Sequence, residues 1–256
     1  MKRIAMVGGA GRMGQALAEN LNLIDGMVVS ALVDVRAPGH LFGASHVETI
    51  DALNPSEIDV VVDFSQPDSV VSSARWCATH RRGLVIGTTG LDDRQRAQVQ
   101  EAATATGVVM ASNFSLGAVL SERFAAMAAP YFDRVEIIEL HHDRKVDAPS
   151  GTSLTTASRI TAARRAVGRV TPAEPTQRVT VEGARGADAG DGVRIHSVRL
   201  PGLVAHQEVL FGGAGEGLTI RHDSYDRVSF VQGVAIAVAH VDETPGFTWG
   251  IDGLIA

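Results

Sequence analysis

Cysteine is almost absent from this chain: Cys77 is the single one in 256 residues. No internal disulfide can form, so packing alone must hold the fold, and the usage fits a reducing compartment, with the cytoplasm as the expected location. Positive charge is also scarce. The formal net charge is −6, and no basic run exceeds a few residues, which argues against nucleic acid or an anionic membrane as a partner. No apolar run is long enough to span a bilayer, and Met1-Lys2-Arg3-Ile4 enters an apolar strand and meets glycines at once, with no signal-peptide cleavage pattern. Internal repeats and low-complexity tracts are lacking too. What remains is ordinary globular composition, 45% hydrophobic and 20% charged, with length for one large domain or two small ones.

Glycine is plentiful, and its first cluster is informative. Ile4-Ala5-Met6-Val7 is a short apolar run that ends in Gly8-Gly9-Ala10-Gly11-Arg12-Met13-Gly14, after which Ala16, Leu17, Leu21 and Leu23 recur at helical spacing. Strand, glycine turn and helix bring bare backbone up to a pyrophosphate at a helix N-terminus. A second apolar run, Val28 to Val33, ends at Asp34, 20 residues after Gly14, where an acid binds the adenosine ribose of a dinucleotide. Asp59–Phe64, Leu84–Ile86 and Val108–Met110 read as further buried parallel strands. Helices are predicted between them: from Pro67 to about His80, from Asp92 to Ala105, and from Ser115 to about Met127. Gly87-Thr88-Thr89-Gly90 and Ala111-Ser112-Asn113-Phe114-Ser115 fall at strand C-termini, where open α/β sheets bind ligands.

The alternation stops near Asn113. Arg134 to His142 reads as a strand, Ser150 to Val167 as a helix with Leu154, Ala157, Ile160 and Thr161 on one face, and Gly168–Gly192 as loop with one short strand at Arg178–Val181. Val193–Arg199, Val204–Phe211 and Leu218–His222 then look like three antiparallel strands. A last helix, Val228 to about His240, is apolar nearly all round and should be buried against the first domain. The predicted fold class is α/β: an N-terminal Rossmann-type parallel sheet domain (1–113 and 224–256) plus an α+β domain for substrate and oligomerisation (114–223), with a mixed, mostly antiparallel sheet. A small sheet covered by a single helix leaves apolar surface to hide. Val198, Leu200, Leu203, Val204, Val209 and Phe211 therefore point to a homo-oligomer built on it.

The chemistry concentrates in Glu139-Leu140-His141-His142-Asp143-Arg144-Lys145-Val146-Asp147-Ala148-Pro149-Ser150-Gly151-Thr152. Three groups that carry protons, His141, His142 and Lys145, stand at a strand end. Pro149 stops a helix from running through, Ser150 is a good N-cap, and the N–H groups of Gly151 and Thr152 would attract a carboxylate or phosphate. Singly, each has a bland reading: a lone histidine is usually a hydrogen-bonded structural residue and a lone lysine a surface residue. Together they describe a place where a small anionic substrate is held and protonated. Adjacent histidines on a strand diverge, which argues against a metal site. Cys77 lies within a predicted helix and is expected to be buried rather than nucleophilic; His196, His206 and His222 are expected to be structural or interface residues.

Glu139-Leu140-His141-His142-x-x-Lys145-x-Asp147-Ala148-Pro149-Ser150-Gly151-Thr152 resembles the signature of the 4-hydroxy-tetrahydrodipicolinate reductase (dihydrodipicolinate reductase) family. The resemblance extends over essentially the whole chain, through Gly8-x-x-Gly11-Arg12-Met13-Gly14, Asp63-Phe64-Ser65, Gly87-Thr88-Thr89-Gly90, Asn113-Phe114-Ser115 and Leu203-Val204-Ala205-His206-Gln207-Glu208-Val209. It implies reduction of a cyclic dicarboxylate on the diaminopimelate and lysine pathway by NADH or NADPH, in a homotetramer assembled through the substrate-domain sheets and a cleft that closes between the domains. It further implies His141 as acid/base residue and Lys145 as proton donor. His142, Gly151 and Thr152 would hold the substrate carboxylates, with Ser150 capping the helix. The dinucleotide would lie on Gly8, Gly9, Ala10, Gly11, Arg12, Met13, Asp34, Gly87, Thr88, Thr89, Ala111, Ser112, Asn113 and Phe114. Val35 follows the ribose acid where some members carry a basic residue, so NADH is expected to serve at least as well as NADPH, with Arg12 or Arg36 in reach of a 2′-phosphate. Another nicotinamide-dependent enzyme, such as a homoserine or aspartate dehydrogenase, is the first competing reading, and a non-enzymatic dinucleotide-binding redox sensor is the second. The paired histidines with Lys145 and the Ser-Gly-Thr helix start argue against the first, and the second would not need His141 and Lys145.

Overall fold

The computed structural model describes residues 1–241 and 246–255; residues 242–245 and 256, which the expected segment 224–256 includes, lie outside the described residues. The chain forms two compact units: Met1–Leu116 with Arg227–Ala256, and Gly117–Asp226. No helix of the described residues is long and apolar enough to cross a membrane.

In the first unit the strands are β1 (Lys2–Val7), β2 (Met27–Val33), β3 (Ser45–Val47), β4 (Val60–Asp63), β5 (Gly83–Ile86) and β6 (Gly107–Met110). The helices between them are α1 (Arg12–Leu21), α2 (Pro67–His80) and α3 (Asp93–Ala102). The Val/Ile runs of β4, β5 and β6 are buried at every position, as strands covered on both faces must be. Pro67 opens α2, where its fixed φ costs nothing, and Asp92 with Gln95 closes a reciprocal capping box on α3. All strand pairs are parallel.

Two strands of this sheet are not anticipated by the pattern, β3 on one edge and β12 (Gly246–Trp249) on the other, giving the order β12-β6-β5-β4-β1-β2-β3. Both are too short and too partly buried to stand out from flanking loop. The chain changes direction between β1 and β4, so a crevice opens at their carboxyl ends. The last helix, α6 (Val231–His240), follows a 3₁₀ turn at Arg227–Phe230; Val231, Val234, Ala235, Ala237 and Val238 are buried in the first unit.

The second unit carries α4 (Leu116–Ala128), β7 (Arg134–His141), α5 (Gly151–Ala166), β8 (Ala187–Asp188), β9 (Arg194–Arg199), β10 (Ala205–Gly213) and β11 (Glu216–Ser224), with sheet order β11-β10-β7-β9-β8. Four features correct the sequence reading. First, the late strands are not three consecutive antiparallel neighbours: β7 inserts between β10 and β9 and pairs parallel with β9. Second, residues 178–181 form no strand; the short edge strand is Ala187–Asp188. Third, the face of α5 that is buried carries Ser153, Thr156, Ala157, Ile160 and Arg164, whereas Leu154 is 47% exposed. The inward side holds hydroxyls because the helix rests on polar groups of the sheet as well as on its core. Fourth, α4 and α5 both cover the sheet: Ala125, Ala129, Ala157 and Ile160 pack with Val135, Ile137, Ile195, Val209 and Phe211. Val209 and Phe211 are thereby core residues and not exposed apolar surface. Leu200 at 53%, Val204 and Leu218 remain exposed.

Candidate active site

In the first unit the glycine turn is built from backbone. Gly8 and Gly9 donate to the Val33 carbonyl at 2.9 and 3.2 Å, and Gly11 donates back to Gly8 at 2.9 Å. Gly8 has φ +81°, and a side chain there would collide with the Phe64 carbonyl; one on Gly14 would collide with the Gly8 carbonyl. These two contacts are why glycine is needed at both. Gly11, the N-cap of α1, supplies no side-chain cap, so the first-turn N–H groups of the helix are left to face an anion. Ala10, Arg12 and Met13 lie on this turn and first helical residues, Arg12 exposed.

Asp34 follows β2 and accepts from the Ala10 and Arg36 amides, both at 3.0 Å. Burial opposes its charge, but those two amides and the Arg36 guanidinium, 3.4 Å away, hold its carboxyl below the usual range. Gly8, Gly11, Asp34, Arg36, Phe64 and Ser65 line a cleft of about 650 Å³. An uncapped helix start behind a tight glycine turn, with a fixed acid on the same cleft, suits a dinucleotide's pyrophosphate and ribose.

Two further predicted loops end neighbouring strands. Gly87 abuts the ring of Phe64, whose ring centroid lies 5.6 Å from that of Phe114. The Thr88 hydroxyl is turned inward: it donates to Asp63 Oδ1 at 3.0 Å and accepts from the Ser65 amide at 2.8 Å. Asp63 is fully buried and also accepts from the hydroxyls of Ser65 (2.5 Å) and Ser73 (2.6 Å). Burial raises its carboxyl above the usual value, with the hydroxyls acting against that shift. Thr89 and Ser112 are exposed, Ala111 and Phe114 buried, and Asn113 Oδ1 accepts from the Ser115 amide at 2.9 Å. Cys77 is buried, and burial pushes its thiol well above the ordinary value.

The second unit collects the other predicted residues around the end of β7. Val135, Ile137 and Glu139 form the inward row of this strand, and His141 continues it, because alternate residues share a face. Glu139 is fully buried. Its carboxylate meets His141 Nδ1 at 2.5 Å and the Arg199 guanidinium twice, at 2.9 and 2.8 Å. Burial opposes its ionisation, yet hydrogen bonds from His141, Arg199 and Ser197 prevail and hold the carboxyl at about 2. Arg199 comes from β9, whose parallel register sets it directly beside His141. Arg199 also donates to the Asp147 carbonyl at 2.7 Å. The Asp147 carboxylate in turn accepts from Lys145 Nζ at 2.7 and 2.8 Å, a bond that lowers its pKa. His141 and Lys145 are thus joined through Glu139, Arg199 and Asp147.

His142 lies beyond the strand end, half-buried, and its Nδ1 is a buried atom without a hydrogen-bond partner. The Ala148–Pro149 peptide is cis. Ser150 caps α5 as its spacing predicts, accepting from the Ser153 amide at 3.2 Å. A side chain on Gly151 would meet nothing within 4 Å, so glycine there answers no demand of the fold and leaves the helix start open. From β10, Gln207 donates to Thr156 at 3.0 Å, and Thr156 donates to the Thr152 carbonyl at 2.9 Å, which seats the first turns of α5 on the sheet. His196 meets Glu136 and His206 meets Asp223, each at 2.7 Å; both have structural partners.

Glu139 in its buried role, Arg199 and Gln207 are missed by reading the motif alone. An acid in the inward row of an alternating strand was the available signal for Glu139. Arg199 and Gln207 had none, since their relevance depends on which strands flank β7.

A doubly wound parallel sheet with an open glycine turn, followed by a unit that gathers acid/base groups beside an anion-ready helix start, defines an NAD(P)H-dependent oxidoreductase. Comparison with known proteins narrows the class. Residues 2–114 match the family model "Dihydrodipicolinate reductase, N-terminus", and residues 117–255 match "Dihydrodipicolinate reductase, C-terminus". The chain belongs to the dihydrodipicolinate reductase family. It is 46% identical to the 4-hydroxy-tetrahydrodipicolinate reductase of Nocardia farcinica, over 98% of this chain and 97% of the relative. It is also 46% identical to that of Cutibacterium acnes, over 100% and 99%. Among solved structures, a dipicolinate-bound dihydrodipicolinate reductase from Paenisporosarcina sp. TG-14 superposes with a TM-score of 0.87 at 38% identity, covering 100% of both chains.

Proposed function

We propose that the strand end and capped helix of the second unit are where this reductase holds and protonates its substrate. The enzyme reduces 4-hydroxy-tetrahydrodipicolinate, by way of dihydrodipicolinate, to tetrahydrodipicolinate in diaminopimelate and lysine biosynthesis. The bound NADH or NADPH supplies the hydride. The chain's own residues must then bind two carboxylates and supply a proton. His141 is the acid/base residue and Lys145 the proton donor; His142 and the amides of Gly151 and Thr152 hold the carboxylates, with Ser150 keeping the helix start in place. The carrying observation is the hydrogen-bonded connection from His141 through Glu139, Arg199 and Asp147 to Lys145. Lys145 is paired with Asp147, so a substrate carboxylate that takes the ammonium replaces one anion by another, and the half-exposed Asp147 returns to solvent. Nicotinamide oxidation with freshly generated substrate tests this: His141→Gln and Lys145→Ala should each lose rate while dinucleotide affinity stays. Unchanged rates would remove both residues from the mechanism.

The same reading places the dinucleotide on Gly8 to Met13, Asp34, Gly87 to Thr89 and Ala111 to Phe114. Asp34 favours a ribose with free hydroxyls, and the exposed Arg36 beside it can offset a 2′-phosphate. Both coenzymes therefore serve, NADH at least as well. A specificity ratio favouring NADPH by more than about tenfold, roughly 1.4 kcal/mol, would overturn this. The exposed Leu200, Val204 and Leu218 support a homotetramer formed through the sheet of the second unit; a monomer at micromolar concentration on sedimentation would contradict it. The proposed compartment is the cytoplasm.

A further inference from the structure

Glu139 occupies an inward position of β7 whose preceding members are apolar. It follows Val135 and Ile137 in the inward row of β7 and is fully buried. A carboxylate there carries a heavy desolvation cost unless every oxygen is paired. Arg199 binds both oxygens, at 2.9 and 2.8 Å, and that alone would satisfy the charge. The additional contact to His141 Nδ1 at 2.5 Å is therefore not explained by neutralisation of Arg199. An ionised carboxylate only accepts hydrogen bonds, so Nδ1 must carry the proton. In the neutral ring the lone pair is then on Nε2, at the far side of the imidazole. Arg199 is itself anchored on the Asp147 carbonyl at 2.7 Å, so the carboxylate cannot swing away from the ring without breaking the guanidinium's other bond.

We propose that Glu139, clamped by Arg199, is a positioning residue for the reduction: it fixes His141 in the Nδ1–H tautomer and presents Nε2 as the atom that exchanges a proton with the substrate. This rests on the reading of His141 as the acid/base residue and adds which nitrogen acts and what aims it. Through Asp147 the same guanidinium holds the segment that bears Lys145, so one buried carboxylate sets both groups.

The test is a tautomer measurement with a kinetic companion. Long-range ¹H–¹⁵N spectra of the whole enzyme are recorded at about pH 8, where an ordinary imidazole is neutral, with His141 assigned by its loss in His141→Gln. The wild type should show an unprotonated Nε2 and protonated Nδ1. In Glu139→Gln the populations should move toward Nε2–H, and kcat should fall about 10- to 100-fold with KM within about threefold. A wild-type His141 protonated on Nε2 and bare on Nδ1 overturns the proposal whether or not the variant folds; a ring protonated on both is recorded again at higher pH until it is neutral. So does a Glu139→Gln enzyme that loses rate with its tautomer unchanged, since the glutamate would then be structural only. A Glu139→Gln enzyme that keeps its kcat while His141→Gln loses it overturns the positioning role and leaves the acid/base reading intact. A His141→Gln enzyme with full kcat sinks that reading instead, and with it the purpose of the aimed ring.

Discussion

The two halves of the proposed site, one for the coenzyme and one for the substrate, are built from different materials. In the first unit the proposed site is backbone: a glycine turn, the uncapped helix start that follows it, and one acid held by two amides. In the second unit it is side chains, and each one is held by another: His141 by Glu139, Glu139 by Arg199, Lys145 by Asp147, and the helix start by Ser150 and Gln207. A coenzyme is bound by shape and dipoles that do not change during turnover. A proton must instead move between groups that are aimed and charged, and aiming a side chain takes a partner.

This contrast makes separable predictions. The largest effect belongs to the second unit: His141→Gln or Lys145→Ala should cost about 10²- to 10⁴-fold in kcat, with dinucleotide affinity by calorimetry within about twofold. Loss of affinity in step with rate would erase the distinction between the units. Next comes acid sensitivity. Glu139 is held at about 2 against an ordinary value of 4.5. A depressed carboxyl stabilises the fold fully above the unfolded value and ceases to do so as pH falls through the folded one. The wild type's stability advantage over Glu139→Gln, followed by urea midpoints, should hold at neutral pH and shrink from about pH 4.5 toward 2; a constant difference would show that the pair is not coupled to folding. Gly8→Ala should cost about 1–3 kcal/mol in the first unit, from its positive φ and the Phe64 carbonyl, and weaken dinucleotide binding; a variant that binds NADH normally would mean the turn relaxes. The smallest effect is Ser150→Ala, about 1 kcal/mol for a lost cap, read as a raised KM for substrate with unchanged coenzyme affinity.

Much of this was legible because it is local. Strand, glycine turn, helix, strand and acid occupy consecutive positions, and periods of 2 and 3.6 are properties of single elements. The Ser150 cap and the burial of Cys77 followed from the same short-range reasoning. The errors were non-local. Val209 and Phe211 read as surface from the sequence because nothing local shows that α4, itself legible as a helix, packs on this sheet. Leu154 reads as inward on hydrophobicity alone, while the true inward face of α5 meets Gln207 with the hydroxyl of Thr156. The parallel pairing of β9 with β7 depends on a strand arriving from a distant stretch of chain, and no periodicity within either strand encodes it.

By itself the sequence determined the dinucleotide-binding pattern, the two-unit plan and the run of acid/base and anion-binding groups from Glu139 to Thr152, since each is written in neighbouring residues. Only the tertiary structure decided that Arg199 stands beside His141, that Glu139 turns inward to meet both, and that Gln207 seats α5. The reason is that register between strands is settled by burial of whole faces. A carboxylate's partners are then whichever residues that registration brings alongside.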